Sequence, residues 1–351
     1  MRRNLPNFYG ISSARGFTLV EMLWVVVIIG IVLSITDFAG IGQLNTRYYS
    51  TKQQTINKNI AATLLQYAKT NTTLGTLPSP YVGGGYNNAV FDPANAQLAQ
   101  IFRSANISPS EINDDGTTAQ NVRVYQNVQL TQSIPMDFQS GALALLTYQY
   151  AEVHQTACNL SNATCNKTAP AIPGVSTAMT TANYKTWTTT ATDLQPEFFS
   201  TLPLQKQMLS LTNSKLATVS DKITGLFLTQ QTGALAGDTT NWYPFAYQSA
   251  APLVHNPDLS GANAVTNQGC WDGWYSLNAA NVNILAQLAL SQSQYGNTAW
   301  GGTVQYCRDY DPALRGANSI PHFAALRINQ SVSLGIAPDA LVQANNIFIT
   351  F

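Results

Sequence analysis

The residues whose types could support chemistry are few and scattered. The four cysteines are Cys158, Cys165, Cys270 and Cys307. None forms a CxxC pair, and no histidine stands at metal-ligand spacing from any of them, which argues against zinc. An even number reads as disulfides if the chain is exported, as its N-terminus indicates. Four cysteines allow three pairings. The sequential one, Cys158 with Cys165 and Cys270 with Cys307, is preferred because each pair brackets a Gly/Asn-rich or Asn/Thr-rich stretch with little core of its own. Closing the short loop contributes ~2.5 kcal/mol and the longer one ~4 kcal/mol on a chain-entropy model. The alternative is four buried free thiols.

The three histidines, His154, His255 and His322, are far apart, and no HExxH, GxSxG, Walker or GxGxxG pattern occurs. Neither an enzyme nor a bound cofactor is expected. Two acidic clusters carry oxygens of the kind calcium takes: Asn113-Asp114-Asp115-Gly116-Thr117, and Asp309 with Asp311 beside Cys307. Neither completes an EF-hand, and short Asp-Gly runs are ordinarily turns, so a turn is the leading reading and no metal is assigned. Aromatic residues gather late in the chain at Trp242, Tyr243, Phe245 and Tyr247, then Trp271, Trp274 and Tyr275, with Trp300 beyond. Exposed, they would stack on a glycan or grip a surface receptor. Core packing is the leading reading for most of them.

One further residue stands out by its surroundings. From Phe17 to Thr36 runs FTLVEMLWVVVIIGIVLSIT, with Glu21 its single charge. As a helix this segment is ~30 Å long, the thickness of a bilayer's hydrocarbon core. Arg2, Arg3 and Arg15 precede it without an acid, which places the N-terminus in the cytoplasm and exports the chain after Thr36. A carboxylate in hydrocarbon costs several kcal/mol, and its default reading is functional. The alternative is that Glu21 snorkels to the interface. A secretory signal would have a shorter apolar run followed by a small-residue cleavage site. Here the small residue, Gly16, comes before the run, so cutting there leaves the helix on the mature chain.

The string Gly16-Phe17-Thr18-Leu19-Val20-Glu21 resembles the processing site of type IV prepilins and pseudopilins. The resemblance covers residues 1–70. It implies that a prepilin peptidase cleaves between Gly16 and Phe17 and methylates the new amine. It also implies that Glu21 neutralises the Phe17 amine of a neighbouring subunit during filament assembly, two buried charges of which neither is tolerable alone. Other pilin subunits and an inner-membrane assembly platform are the partners so implied. Two departures blur the subclass. The 16-residue leader is long, and no proline stands near Phe38, where Gly30, Ser34, Gly40 and Gly42 leave local melting available.

The elements that must carry these residues follow from periodicity. After Gly42 an apolar ridge of Leu44, Tyr48, Ile56, Ile60 and Leu64, flanked by Ala61, Leu65 and Ala68, predicts an amphipathic continuation of the helix over 37–70. Breakers at 71–85 end it. Asp92-Pro93 starts a helix to about Ser104, and Ser108-Pro109 a short one. Residues 121–134 and 142–153 alternate as strands. Segments 203–220 and 277–292 read as helices, the second capped near Ser276 or Asn278. Residues 323–333 and 346–351 read as strands. The organisation is a leader (1–16), a transmembrane helix (17–36), its amphipathic continuation (37–70) and an exported α+β head (71–351) containing antiparallel sheet, with length enough for two lobes.

Composition is consistent with this plan. The chain has 351 residues, 45% of them hydrophobic, but only 10% charged with zero net charge, against roughly 25% charged in an ordinary soluble domain. A nucleic-acid binder would show a basic footprint, so none is expected. The expectation is a minor pilin or pseudopilin with a priming, tip or adhesive role in a type IV pilus, DNA-uptake or type II secretion system. It would lie in the bacterial inner membrane before assembly, then in a periplasmic or extracellular filament. The alternative is a glycan- or surface-binding adhesin head on a pilin helix.

Overall fold

Long unbroken helical sequence opens the chain, and the computed structural model folds it as one helix, α1, over Leu19–Ala68. The structure describes residues 19–70, 74–80, 96–107, 121–137, 141–157, 165–166, 169–170, 179–187, 195–246, 267–271, 273–311 and 320–351. The chain divides into two units, Met1–Thr55 and Ile56–Phe351. In the first, Gly30, Gly40 and Gly42 do not interrupt α1, since one glycine costs only ~1 kcal/mol in a helix. Tyr48, expected on the buried ridge, is instead 66% exposed. Among the described ridge residues, burial begins at Ile56, where the helix packs against the rest of the second unit.

In the second unit that ridge meets α2 (Ala96–Ser104) and a long hairpin of β1 (Asn121–Pro135) and β2 (Leu143–Ala157). Ile56, Ile60, Leu64 and Ala68 of α1 pack with Leu98, Ile101 and Phe102 of α2, and with Tyr125, Ala151 and Val153 of the hairpin. Ile60 and Leu64 are fully buried, worth about 2 kcal/mol each. Arg123 is also buried there, its Nε donating to Asn57 Oδ1 at 2.6 Å. The two strands extend one and four residues beyond the predicted ends because they pair with each other along their whole length, from Asn121↔Ala157 to Pro135↔Leu143.

A strand not anticipated from sequence, β5 (Glu197–Ser200), adds to β2 in the order β1-β2-β5. Two short strands, β3 (Cys165–Asn166) and β4 (Ala169–Pro170), pair separately. Helix α3 runs Leu202–Gln231, well past the expected end at 220, with Leu209, Leu216, Val219 and Ile223 buried. Its Ser and Thr residues do not break it, because Ser214, Thr218 and Thr229 satisfy their hydroxyls on the carbonyl four residues back.

The second sheet is antiparallel, in the order β6 (Tyr275–Ser276), β7 (Gln305–Cys307), β8 (Ala325–Asn329) and β9 (Asn346–Thr350). The expected helix over 277–292 is not formed. Only single turns, α4 (Ile284–Gln287) and α5 (Gln292–Tyr295), appear. Leu277 is tied by its N–H to the carbonyl of Val304, and Ala289 takes a positive φ of 53°, so helical hydrogen bonding cannot propagate. The strand expected over 323–333 is shorter, and Val332–Leu334 forms a 3-10 turn. Helix α3, these turns and β8–β9 close one core around Trp300, Tyr306, Leu326 and Ile349. The fold is α+β. Residues 92–95, 108–109 and 71–73, where helix signals and breakers were read, lie outside the described residues.

Candidate functional site

Two regions concentrate the residues singled out by chemistry. The first is the start of α1. Glu21 lies in its first turn, where a carboxylate is favoured by the positive end of the helix dipole. Every described side chain from Leu19 to Ile31 is exposed, including Leu19 at 84% and Trp24 at 61%. Among the described residues no helix is long and apolar enough to cross a membrane; side chains are described for 19–31 only, part of the apolar run 17–36. Gly16 and Phe17 lie outside the described residues.

The second is the sheet end around the disulfide. Cys270 and Cys307 are bonded, with their Cα atoms 5.9 Å apart, and both are fully buried. Of the two bridges in the preferred pairing, Cys270–Cys307 is present, but the expectation that it brackets a stretch with little core is not met. The loop it closes holds Leu277, Ile284, Leu285, Leu288, Trp300 and Tyr306 of the main core, and so is rich in core residues. Cys158 lies outside the described residues, and of Cys165 only the backbone is described.

Beside this bridge, Tyr310 and Phe348 stack at 5.8 Å, and Trp274 lies 5.9 and 5.6 Å from them. Trp274 donates its indole N–H to the carbonyl of Asn267 at 2.7 Å and carries the Arg327 guanidinium 4.4 Å from its ring centre. Arg327 sits mid-strand in β8 and is buried. Its Nε donates to Gln305 Oε1 at 2.6 Å and its Nη1 to Gln268 Oε1 at 2.8 Å. Asn346 Nδ2 donates to the same Gln268 oxygen at 2.8 Å. Burial pulls the guanidinium down to about 10, with Asp339 acting in the opposite sense, so it keeps its charge at neutral pH. The arrangement desolvates a cation against an aromatic ring and amide oxygens and locks the sheet to the disulfide loop. Sequence reading passed over Arg327; a lone arginine amid the apolar residues of ALRIN was the available signal.

The other late aromatics are used in packing. Trp300 is buried and donates its N–H to Gln205 Oε1 at 2.6 Å. Tyr243 stacks on Phe227 at 4.3 Å and donates its hydroxyl to the Phe351 carbonyl. Phe245 is exposed but covered on one face by Arg308, 3.8 Å from its ring centre. Trp242 and Trp271 are half-buried. Tyr247 lies outside the described residues.

Of the calcium candidates, Asp309 and Asp311 are both buried. The Asp309 carboxylate is 3.9 Å from His322 Nδ1, while His322 Nε2 is 2.8 Å from the Thr239 carbonyl. Among the described residues no three metal-ligating side chains come together. Asp114 and Asp115 lie outside them, as does His255; of His154 only the backbone is described. A cleft of about 710 Å³ opens where the end of α1 meets α3, over apolar Leu74, Met208 and Leu211. Lys69 and Lys215 are the only charges among its described lining residues, and Lys215, whose pKa is lowered by burial, donates to the Asn297 carbonyl at 3.3 Å.

No curated protein and no solved structure matches the chain. Residues 11–36 match the family model described as the prokaryotic N-terminal methylation motif. That segment holds Gly16, Phe17 and Glu21 in the expected order, with the apolar helix behind them. The chain carries the N-terminal methylation signal of type IV pilins and pseudopilins at residues 11–36.

Proposed function

We propose that the protein is a low-copy subunit of a type IV filament system, a minor pilin or pseudopilin with a priming or tip role. The observation that carries this reading is the methylation motif over 11–36, with Glu21 set in a helix whose apolar side chains are all exposed over Leu19–Ile31. A helix that is apolar all round needs a lipid or protein environment to cover it. The span over 17–36 lies in the inner membrane before assembly and among neighbouring helices afterwards. Prepilin peptidase cuts after Gly16, and Glu21 pairs with the freed amine of Phe17 on an adjacent subunit. The size of the head, residues 71–351, supports low copy number, because close repetition along a shaft limits the lateral size of each head. The aromatic residues that would make an adhesive surface are mostly engaged in packing, so the adhesin reading has less support.

The test is Glu21→Ala in cells that assemble filaments. The expected result is normal cleavage after Gly16 with loss of the protein from sheared filaments. Incorporation at the wild-type level would sink the assembly role. An uncut precursor in the wild type, in the presence of prepilin peptidase, would point to an anchored protein that joins no filament.

A further inference from the structure

Among the described residues, strand β1 is an edge strand. In the first sheet it pairs with β2 on one side and with no described strand on the other. Its ladder to β2 can be phased from the bond of Met136 N–H to the Ala142 carbonyl at 3.0 Å. Antiparallel pairs alternate, so Val128, Leu130, Gln132 and Ile134 bond to β2, and the backbone groups of Gln129, Thr131 and Ser133 face away. The partners on β2 agree. Thr147, opposite Thr131, turns its N–H outward to Ser333 Oγ at 2.7 Å, and Gln149, opposite Gln129, to Thr201 Oγ1 at 2.9 Å.

On β2 these outward N–H groups are satisfied. On β1, Gln129, Thr131 and Ser133 make no hydrogen bond beyond the hairpin among the described residues, and all three are exposed. Natural sheets protect such edges with charge, most often lysine. From Val124 to Pro135 this edge has none.

We propose that this edge pairs antiparallel with the same edge of a second copy of the chain, about a two-fold axis through Thr131. Thr131 is the middle one of the three exposed residues whose N–H and carbonyl both face outward. Pairing there sets Thr131 against itself and Gln129 against Ser133, positions at which both facing residues point their backbone groups outward and exchange both hydrogen bonds. In the alternate positions Val128 meets Ile134 and Leu130 meets Gln132. The contact is isologous, so it closes at two copies. An uncharged strand meets no like-charge repulsion when it faces itself, whereas a charged partner strand would find no counter-charge. This pairing does not depend on the filament reading and stands or falls separately.

Site-directed disulfide formation in the full-length chain, in membranes, tests it. Facing residues of this type have Cα atoms ~5.5 Å apart, within disulfide reach. On mild oxidation Thr131→Cys is expected to form a species of twice the chain mass, and Gln129→Cys co-expressed with Ser133→Cys to cross-link to each other. Thr229→Cys, exposed on α3, is the control and is expected to stay monomeric. Placing Thr131→Pro in the co-expressed pair removes an outward N–H without touching the hairpin ladder. That should cut the cross-link roughly tenfold, the effect of losing a facing hydrogen-bonded pair. A monomeric Thr131→Cys overturns the proposal, as does equal cross-linking at Thr229→Cys or a cross-link that survives proline. A product of some other mass would mean that a different protein occupies the edge, and would overturn it too.

Discussion

Consider removal of the bridge between Cys270 and Cys307 by the double substitution Cys270→Ala/Cys307→Ala. The two residues are 37 positions apart, and closing a loop of that length removes about 4 kcal/mol of unfolded-state freedom at 25 °C. Both side chains are fully buried, among Tyr310, Ala325, Trp274 and Phe348. Alanine there leaves two small voids, adding on the order of 1 kcal/mol. Against a domain stability of roughly 5–15 kcal/mol, the total of about 5 kcal/mol is a large share. Urea unfolding of the full chain in detergent, followed by tryptophan fluorescence, reads it. With a urea dependence of about 3 kcal/mol/M the midpoint should fall by roughly 1.5 M, and the slope should steepen as the unfolded chain expands. The opposing consideration lies in the loop itself, which carries Leu277, Ile284, Leu285 and Trp300 of the main core. If those residues keep the loop compact in the unfolded state, little entropy is left for the bridge to remove. A loss below about 1 kcal/mol would refute the chain-entropy argument for this bridge.

Gln205→Leu keeps the volume of a buried side chain but strands the Trp300 indole N–H and the carbonyls of Leu74 and Gly75, to which Gln205 Nε2 donates. The expected loss is about 3 kcal/mol by the same urea assay, with a shift of the tryptophan emission. The carboxyl of Asp339 is held below its ordinary 3.8, chiefly by the Asn345 side-chain amide and then by the N–H groups of Leu341 and Val342. A depressed carboxyl contributes stability above its unfolded value and loses it as the pH falls through the folded one. Asp339→Asn should therefore be less stable than wild type at neutral pH, and the two urea midpoints should converge well below pH 3.8.

How much of this was legible in sequence depended on whether the cause was local. Helix α1, the hairpin β1–β2 and the strand β9 follow from period, and period is a property of neighbours in sequence. The end of α3 was not, because Val219, Ile223 and Phe227 hold it against a core assembled from β6–β9. The absent helix over 277–292 has the same origin. Its apolar spacing is helical, but Leu277 and Ala279 are claimed by the sheet and by Gln292, whose side-chain amide donates to both carbonyls. The short strand β5 exists only because β2 offers an edge.

What the sequence by itself determined is the N-terminal chemistry. A glycine before an apolar run with one acid in it, over residues 11–36, is a signal written in adjacent residues, legible without the fold. The tertiary structure decided the uses of the head's residues. Trp274 became the cover of a buried arginine, Asp309 the neighbour of His322, and Gln205 the clasp between α3, Trp300 and the turn at Gly75. The clasp and the arginine's cover join residues tens of positions apart, with buried polar groups seeking partners wherever the packing brings them, and no local pattern encodes that choice.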